Sequence, residues 1–328
     1  MDSLLFAVSA IMPIVAMVAI GYLLKRTGLI SQSYAQITNK LVFRLFLPAM
    51  LFLNIYRIED PGDMELGFML YALAAVLLTF LVCLPLTVLI TREQRRRGAL
   101  LQSTFRSNNA LIGVPLAEAL CGTAGVVAAA LLSAAIIPLY NILAVVSLSL
   151  FRTDGKRVSV KKMLLDIVKN PLIESIALAL AVLAIRGVLA ANGVDFRLSE
   201  LPVLFDVLQF LSNVATPLAL LALGAQFEFR AIAGYRKELL FGVTVRTVLS
   251  PLVFLSGAVL LLGRYFSAAH FAVFVSVFAT PVAVSSVPMA QEMDSDTTLA
   301  GQLVVFTTLV SALSIFLSSF LLRLIGVI

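Results

Sequence analysis

The chain has 328 residues, of which 61% are hydrophobic and only 13% are charged, and its formal net charge is +6. A soluble domain would be about half apolar and about a quarter charged, so this composition predicts a membrane protein with several spans. The basic residues lie between the hydrophobic runs and not along one face, which excludes a nucleic-acid-binding surface.

The hydrophobic residues form ten runs, each long enough to cross a hydrocarbon core about 30 Å thick as a helix. The predicted spans are 4–24, 35–56, 68–91, 98–119, 122–151, 171–190, 203–226, 238–263, 270–291 and 298–325. Period-2 alternation is absent, so we expect helices and not barrel strands. The first run lacks a basic n-region and a small-residue cleavage site, which predicts a retained helix and not a signal peptide.

The second and seventh spans each carry a proline near the middle, Pro48 and Pro217. The fourth span carries a run that disfavours an unbroken helix, since proline lacks an N–H and glycine and asparagine are poor in a helix interior. This run is Ser107-Asn108-Asn109-Ala110-Leu111-Ile112-Gly113-Val114-Pro115-Leu116-Ala117-Glu118.

The ninth span carries a comparable run from Thr280 to Gln291. If Pro115 is aligned with Pro288, the two runs match without a gap and Asn108 falls on Pro281. Two interrupted hydrophobic segments at matching places in two halves indicate the binding site of a transporter.

Lysine and arginine are unevenly distributed between alternate loops. The loops after the first, third, fifth and seventh spans hold fifteen of them, and the opposite side holds five, Arg57, Arg186, Arg197, Arg264 and Arg323. The positive-inside rule places the first set in the cytoplasm and both termini on the outer (periplasmic) side of a cell inner membrane. Residues 1–151 and 171–328 are then inverted five-helix repeats, joined by a cytoplasmic linker at 152–170.

Three runs of the sequence resemble motifs of the auxin efflux carrier family, which includes plant PIN-type carriers and bacterial members. The run from Asn108 to Leu116 resembles that family's Asn-Thr-Leu-x-x-Gly-Ile-Pro-Leu. The run from Pro281 to Glu292 resembles its Pro-Gln-Gly-Ile-x-Pro-x-x-x-Ala-Lys-Glu, and the run from Asn39 to Ala49 is similar to bacterial members.

The resemblance implies an all-α integral membrane protein of ten transmembrane helices in two inverted five-helix repeats. Helices four and nine would be broken and would cross at mid-membrane, with Asn108 and Pro281 at the crossing. Helices 1, 2, 6 and 7 would form a scaffold, commonly dimeric, and helices 3–5 and 8–10 a moving transport domain. Val282 stands where plant carriers have Gln, Ser107 stands where they have Pro, and the long plant loop is missing, so a bacterial-type organic-anion carrier fits better than an auxin carrier.

Broken helices present unpaired backbone groups, and their N-terminal ends favour an anion, so the substrate is predicted to bind at the crossing. The residues expected to contact it are Asn108, Asn109, Arg106, Pro281, Val282, Ser285 and Asn141; Ser107, Gly113, Pro115 and Pro288 are expected to shape the crossing. Asn108 and Asn109 could instead only cap the broken helix. Arg106 lies about 12 Å into its span, where it binds a substrate carboxylate or else snorkels or pairs with a fixed acid.

Arg246 and Glu118 are the residues considered for coupling, Arg246 because it lies deep in the eighth span and Glu118 because intramembrane acids serve as proton relays. A position of Glu118 near the outer surface is the alternative. The lone histidine, His270, falls at a helix end and is expected to be interfacial.

No phosphate-binding GxxxxGK[ST] loop, no Cys/His cluster and no HExxH is present, so neither an enzyme nor a cofactor is expected. The prediction is a secondary active transporter of small organic anions, either carboxylates such as malonate and malate or auxin-like acids. It would work by alternating access of the elevator kind, with H⁺ or Na⁺ coupling or the membrane potential left open. A membrane sensor with a transporter fold and an uncoupled anion channel are the alternatives.

Overall fold

The computed structural model describes residues 2–57, 66–152, 168–194 and 197–328. These ranges are predominantly helical and contain no named β-strand. The α-helices are α1 (Asp2–Arg26), α2 (Gln32–Leu41), α3 (Leu47–Tyr56), α4 (Leu66–Ile90), α5 (Gln94–Phe105), α6 (Val114–Leu150), α7 (Pro171–Ala191), α8 (Pro202–Gln226), α9 (Arg236–Thr244), α10 (Ser250–Leu262), α11 (Ala268–Phe278), α12 (Ser286–Glu292) and α13 (Thr297–Leu324).

Seven helical ranges within the described residues are long and apolar enough to cross a membrane. They are Gln32–Tyr56, Leu66–Ile90, Leu111–Leu150, Pro171–Ala191, Pro202–Gln226, Ala231–Tyr265 and Thr297–Leu324. The predicted all-helical, multi-pass membrane protein is therefore confirmed. The count of ten spans and their arrangement as inverted repeats remain predictions, and residues 153–167 of the predicted linker lie outside the described residues.

The long helix α6 contains the turn that was predicted between the fourth and fifth spans. Cys121 and Gly122 have non-helical backbone angles, and Gly122 has φ +60°. This left-handed conformation suits glycine, which lacks the Cβ that other residues would crowd against the backbone. The backbones on the two sides of the turn approach closely, since a Cβ on Gly125 would lie 2.1 Å from the Ala117 carbonyl oxygen.

Within the described residues three π-helical turns interrupt the spans, at Val42–Phe46, Asn109–Gly113 and Val245–Leu249. Each turn ends two residues before a proline, namely Pro48, Pro115 and Pro251. Proline removes one backbone donor and its ring clashes with the carbonyl four residues earlier, so a locally widened turn is a physical way to accommodate it. The prolines of the predicted second and fourth spans are therefore each preceded by a π-helical turn and do not lie in a regular α-helix.

The helices pack in two groups. In one group α1 packs on α8, and α3 packs on α7 and α8. The backbones of α1 and α8 nearly touch, because a Cβ on Gly21 would lie 2.2 Å from the Leu221 carbonyl oxygen and a Cβ on Gly224 would lie 2.0 Å from that of Val18. In the other group α5 packs on α4 and α6, α6 packs on α11, and α13 packs on α5, α9 and α12. Helix α1 also contacts α13, so the two groups share an extended boundary.

Candidate functional site

The two unwound segments predicted from the sequence lie side by side in the structure. Helix α5 ends at Phe105 and α11 ends at Phe278, and Ser107 and Val282 form an isolated antiparallel bridge between the segments that follow. The Asn108 N–H donates to the Pro281 carbonyl at 2.8 Å, and the Ala283 N–H donates to the Arg106 carbonyl at 3.3 Å. Each break thus satisfies backbone groups that the other exposes, as unwound backbone at membrane depth requires.

The C-terminal ends of both broken helices are held by one buried guanidinium. Arg246 is 1% exposed, and its Nε donates to the Thr280 carbonyl at 2.9 Å and its Nη1 to the Phe105 carbonyl at 3.3 Å. Its Nη2 donates to the Val277 carbonyl. The last carbonyls of a helix are unpaired and carry partial negative charge, so a cation placed on two such ends stabilises both. This geometry assigns Arg246 a structural role; its predicted part in coupling is not tested.

Arg106 lies in the unwound segment after α5 and is 3% exposed. Its Nη2 donates to Asn141 Oδ1 at 2.9 Å and to Ser285 Oγ at 2.8 Å, and its Nη1 contacts the Met289 sulfur. Among the described residues, no carboxylate oxygen lies within 4 Å of the Arg106 guanidinium. The guanidinium is therefore oriented by neutral groups and keeps an uncompensated positive charge, which is costly in a membrane unless a cavity or ligand is present.

The two asparagines after Arg106 have different surroundings. Asn109 Nδ2 donates to Ser133 Oγ at 3.1 Å, while its Oδ1 lies so close to Gly113 that a Cβ there would come within 2.2 Å of it. Gly113 is thus the residue that lets the Asn109 side chain fold back over the π-helical turn. Asn108 is buried, and its Nδ2 has no partner among the described residues. A buried amide donor without a partner is a place where a water or a polar ligand group can bind.

A cavity of about 780 Å³ opens beside the paired breaks. This volume is within the range of small-molecule sites, roughly 300–1,000 Å³. One wall comes from the breaks and α6, and its predicted site residues are Arg106, Ser107, Asn108, Asn109, Pro115, Asn141 and Ser285. The facing wall comes from α1, α3 and α8, so the cavity lies between the two packing groups.

Several polar residues of the facing wall were not expected from the sequence. They are Asn54 and Arg57 at the end of α3, and Ser212, Asn213 and Thr216 on α8. A signal for them existed, because polar side chains within apolar spans face a cavity or a partner. Asn54 and Arg57 are spaced i, i+3 and Ser212 and Thr216 i, i+4, which places each pair on one helix face.

The other predicted site residues do not line the cavity. Pro281, Val282, Gly113 and Pro288 shape the crossing from behind it, and Arg246 is buried away from it. Glu118 is exposed on α6 and lies outside the lining.

His270 has a structural explanation. It closes the N-terminus of α11 through a capping box with Ser267, and its ring stacks on Phe68 at 4.3 Å. No group of three His, Cys, Asp or Glu side chains suited to a metal ion occurs in the part of the chain that the structure describes.

Polar contacts join the two packing groups at α2, which itself packs on α8. Asn39 Nδ2 on α2 donates to Gln291 Oε1 on α12 at 3.0 Å, and Gln291 Nε2 donates to the Gln36 carbonyl at 2.8 Å. Next to them, Arg44 Nε lies 3.2 Å from Glu292 Oε2. We call these five residues the latch. None of the latch residues lines the cavity, and the lining extends from Leu47 to Arg57 along α3.

Comparisons with known proteins indicate membrane transport. The family described as membrane transport protein matches residues 6–318. An uncharacterized transporter of Methanothermobacter thermautotrophicus is 22% identical over 323 residues, which cover 93% of this chain and 95% of that protein. The similarity therefore extends over the helices of both packing groups and over both breaks.

Proposed function

The chain belongs to the membrane transport protein family, that of the PIN-like auxin efflux carriers, and we propose that it is a secondary active transporter of small organic anions. It is a multi-pass membrane protein and not an enzyme, as predicted. The proposal concerns the substrate class and the way the substrate crosses the membrane.

The observation that carries the proposal is the position of Arg106. Its guanidinium lines a cavity of about 780 Å³, is oriented by Asn141 and Ser285, and has no carboxylate partner among the described residues. A substrate carboxylate would supply the missing charge in the bidentate geometry that arginine favours. Asn108 lines the same cavity, and its Nδ2 has no partner among the described residues.

The walls of the cavity suggest how transport proceeds. We assign α1–α3, α7 and α8 to a scaffold, and α4–α6 with α9–α13 to a transport domain that carries the paired breaks. The substrate binds between them while the latch is closed. Movement of the transport domain then separates Asn39 from Gln291 and opens the opposite side, which is alternating access of the elevator kind.

The orientation and assembly belong to the same proposal. By the positive-inside rule the latch would face the cytoplasm of a cell with the protein in its inner membrane, and Arg57 would lie toward the outer side. The scaffold is the surface through which two copies would associate as a homodimer, with the bilayer around them. H⁺, Na⁺ or the membrane potential is the candidate driving force.

Reconstitution into liposomes tests the function. Radiolabelled malonate, malate and an indole carboxylic acid are the probes, under an imposed pH gradient, a sodium gradient or a potential. We expect uptake above that of empty liposomes and accumulation beyond the equilibrium level under one of these gradients. Flux that stops at equilibrium would identify an uncoupled channel, and binding without flux a sensor. If no probe is bound or moved, the substrate class is wrong.

A further inference from the structure

The wall that faces Arg106 carries a second arginine. Arg57 is exposed at the mouth of the cavity and, with Arg106, makes up the charged lining among the described residues. Among the described lining residues there are thus two positive charges, one buried and one exposed, and no carboxylate. The two charges lie on different packing groups, since Arg57 ends α3 and Arg106 follows α5.

The ordinary role of an arginine at a helix end is already filled by another residue. Arg57 caps the C-terminus of α3, where a cation usually interacts with the last carbonyls. It is Arg186 of α7 that donates to the Tyr56 carbonyl, at 3.0 Å, and lies over the Tyr56 ring. Stabilisation of this helix end therefore does not explain the orientation of Arg57.

The Arg57 guanidinium is turned toward α8 and held there. Its Nη2 donates to Gln209 Oε1, and Gln209 Nε2 donates in turn to Asn213 Oδ1 at 2.7 Å. Arg57 and Asn213 both line the cavity, while Gln209 connects them from behind. A long exposed side chain held by a directed hydrogen-bond chain loses rotamer freedom, and this is characteristic of a preorganised contact for a ligand.

We propose that Arg57, positioned by Gln209, is a second anion subsite that recognises a second acidic group of the substrate. This inference rests on the proposed function, because the first acidic group binds Arg106. A dicarboxylate long enough to reach both guanidiniums would then touch both packing groups at once, with one carboxylate on the transport domain and the other on the scaffold. A monocarboxylate would bind Arg106 alone and leave Arg57 in contact with water.

The experiment compares matched acids on the purified full-length protein. Calorimetric titration gives Kd for malonate and succinate and for propionate and butyrate, with R57Q, R57K, Q209A and the control R264Q. Arg264 is also exposed and lies outside the cavity lining, so R264Q removes the same charge without touching the subsite. Glu59 and Asp60 follow Arg57 in the sequence, outside the described residues, so E59Q/D60N is included.

We expect the wild type to prefer dicarboxylates by about tenfold, the ratio for one charge-assisted hydrogen bond. R57Q should remove this preference and leave propionate binding within about twofold, whereas R57K and Q209A retain part of it and R264Q all of it. E59Q/D60N should leave the preference intact or increase it. The subsite would be overturned if R57Q weakened the binding of dicarboxylates and monocarboxylates equally. It would also be overturned if R264Q reduced the dicarboxylate preference as much as R57Q does, or if E59Q/D60N lost that preference. Absence of binding by every acid to the wild type would instead refute the proposed function.

Discussion

The backbone N–H of Asn108 lies 2.8 Å from the carbonyl oxygen of Pro281 and donates a hydrogen bond to it. These are the two positions that the ungapped alignment of the fourth and ninth spans places together. The Ala283 N–H donates in turn to the Arg106 carbonyl, and the antiparallel bridge between Ser107 and Val282 lies between these two bonds. The two interrupted runs, far apart in the sequence, are thus hydrogen-bonded to each other beside the cavity.

Replacement of Arg246 by methionine should destabilise the protein strongly. The variant leaves the carbonyls of Phe105, Val277 and Thr280 without their donor in a buried site. Loss of several charge-assisted hydrogen bonds costs on the order of 3–5 kcal/mol, which corresponds to a fall in melting temperature of roughly 10 °C. Thermal unfolding in detergent, followed by size-exclusion chromatography, measures it. An exposed control, R44M, should change the melting temperature by less than about 2 °C.

Replacement of Arg106 by glutamine should weaken anion binding without lowering the stability of the ligand-free protein. Its charge has no carboxylate partner in the described residues, so removal of the charge should leave the ligand-free melting temperature unchanged or higher. Binding of malonate should fall by about a hundredfold or more, since a charge-assisted bidentate contact is lost. Thermal shift with and without malonate separates the two effects. A variant that binds normally would remove Arg106 from the site.

Alanine at Gly113 should disturb the site mainly through Asn109, since the other close neighbour, Ser276 Cβ, would lie 3.1 Å from the new Cβ. The new Cβ would lie 2.2 Å from Asn109 Oδ1, so the asparagine has to leave its place and its bond to Ser133. We expect a loss of about 1–3 kcal/mol in stability and weaker anion binding. The double variant G113A/N109A should recover most of the stability, and G187A, where a Cβ meets open space, should be neutral or slightly stabilising. Additive losses in the double variant would contradict the contact.

Much of the fold was predictable from the sequence because a chain that crosses a membrane can adopt few kinds of secondary structure. Apolar runs of about 20 residues predict helices directly, and Asn, Gly and Pro inside such runs mark where a helix fails. The paired breaks were predictable for this reason, whereas the sequence left open whether Arg106 faces a substrate, snorkels or pairs with an acid. The turn at Gly122 was also predictable, since it lies at the boundary between two predicted spans.

The remaining features depend on contacts between distant residues. Arg246 resembled Arg106 in the sequence, as a deep arginine near a proline, and only the position of three carbonyls from other helices distinguishes their roles. In the sequence Arg57 resembles an ordinary helix-end residue, and only the packing of α7 on α3 shows that Arg186 occupies the same helix end. Charge and depth can be read from one span, whereas the partner of a charge requires the packing of several.

Cross-linking the latch should stop transport without stopping binding. In N39C/Q291C the new thiols replace side chains that are joined by a 3.0 Å hydrogen bond, so a short bifunctional thiosulfonate reagent can connect them. Cys83 and Cys121 are replaced by serine in the background, since they are free cysteines. If the proposed movement separates α2 from α12, cross-linked protein binds malonate in a thermal-shift assay, gives no uptake in liposomes, and recovers uptake on reduction. The single variants N39C and Q291C, treated in the same way, should keep their uptake. Uptake by fully cross-linked protein would show that the latch does not open during transport.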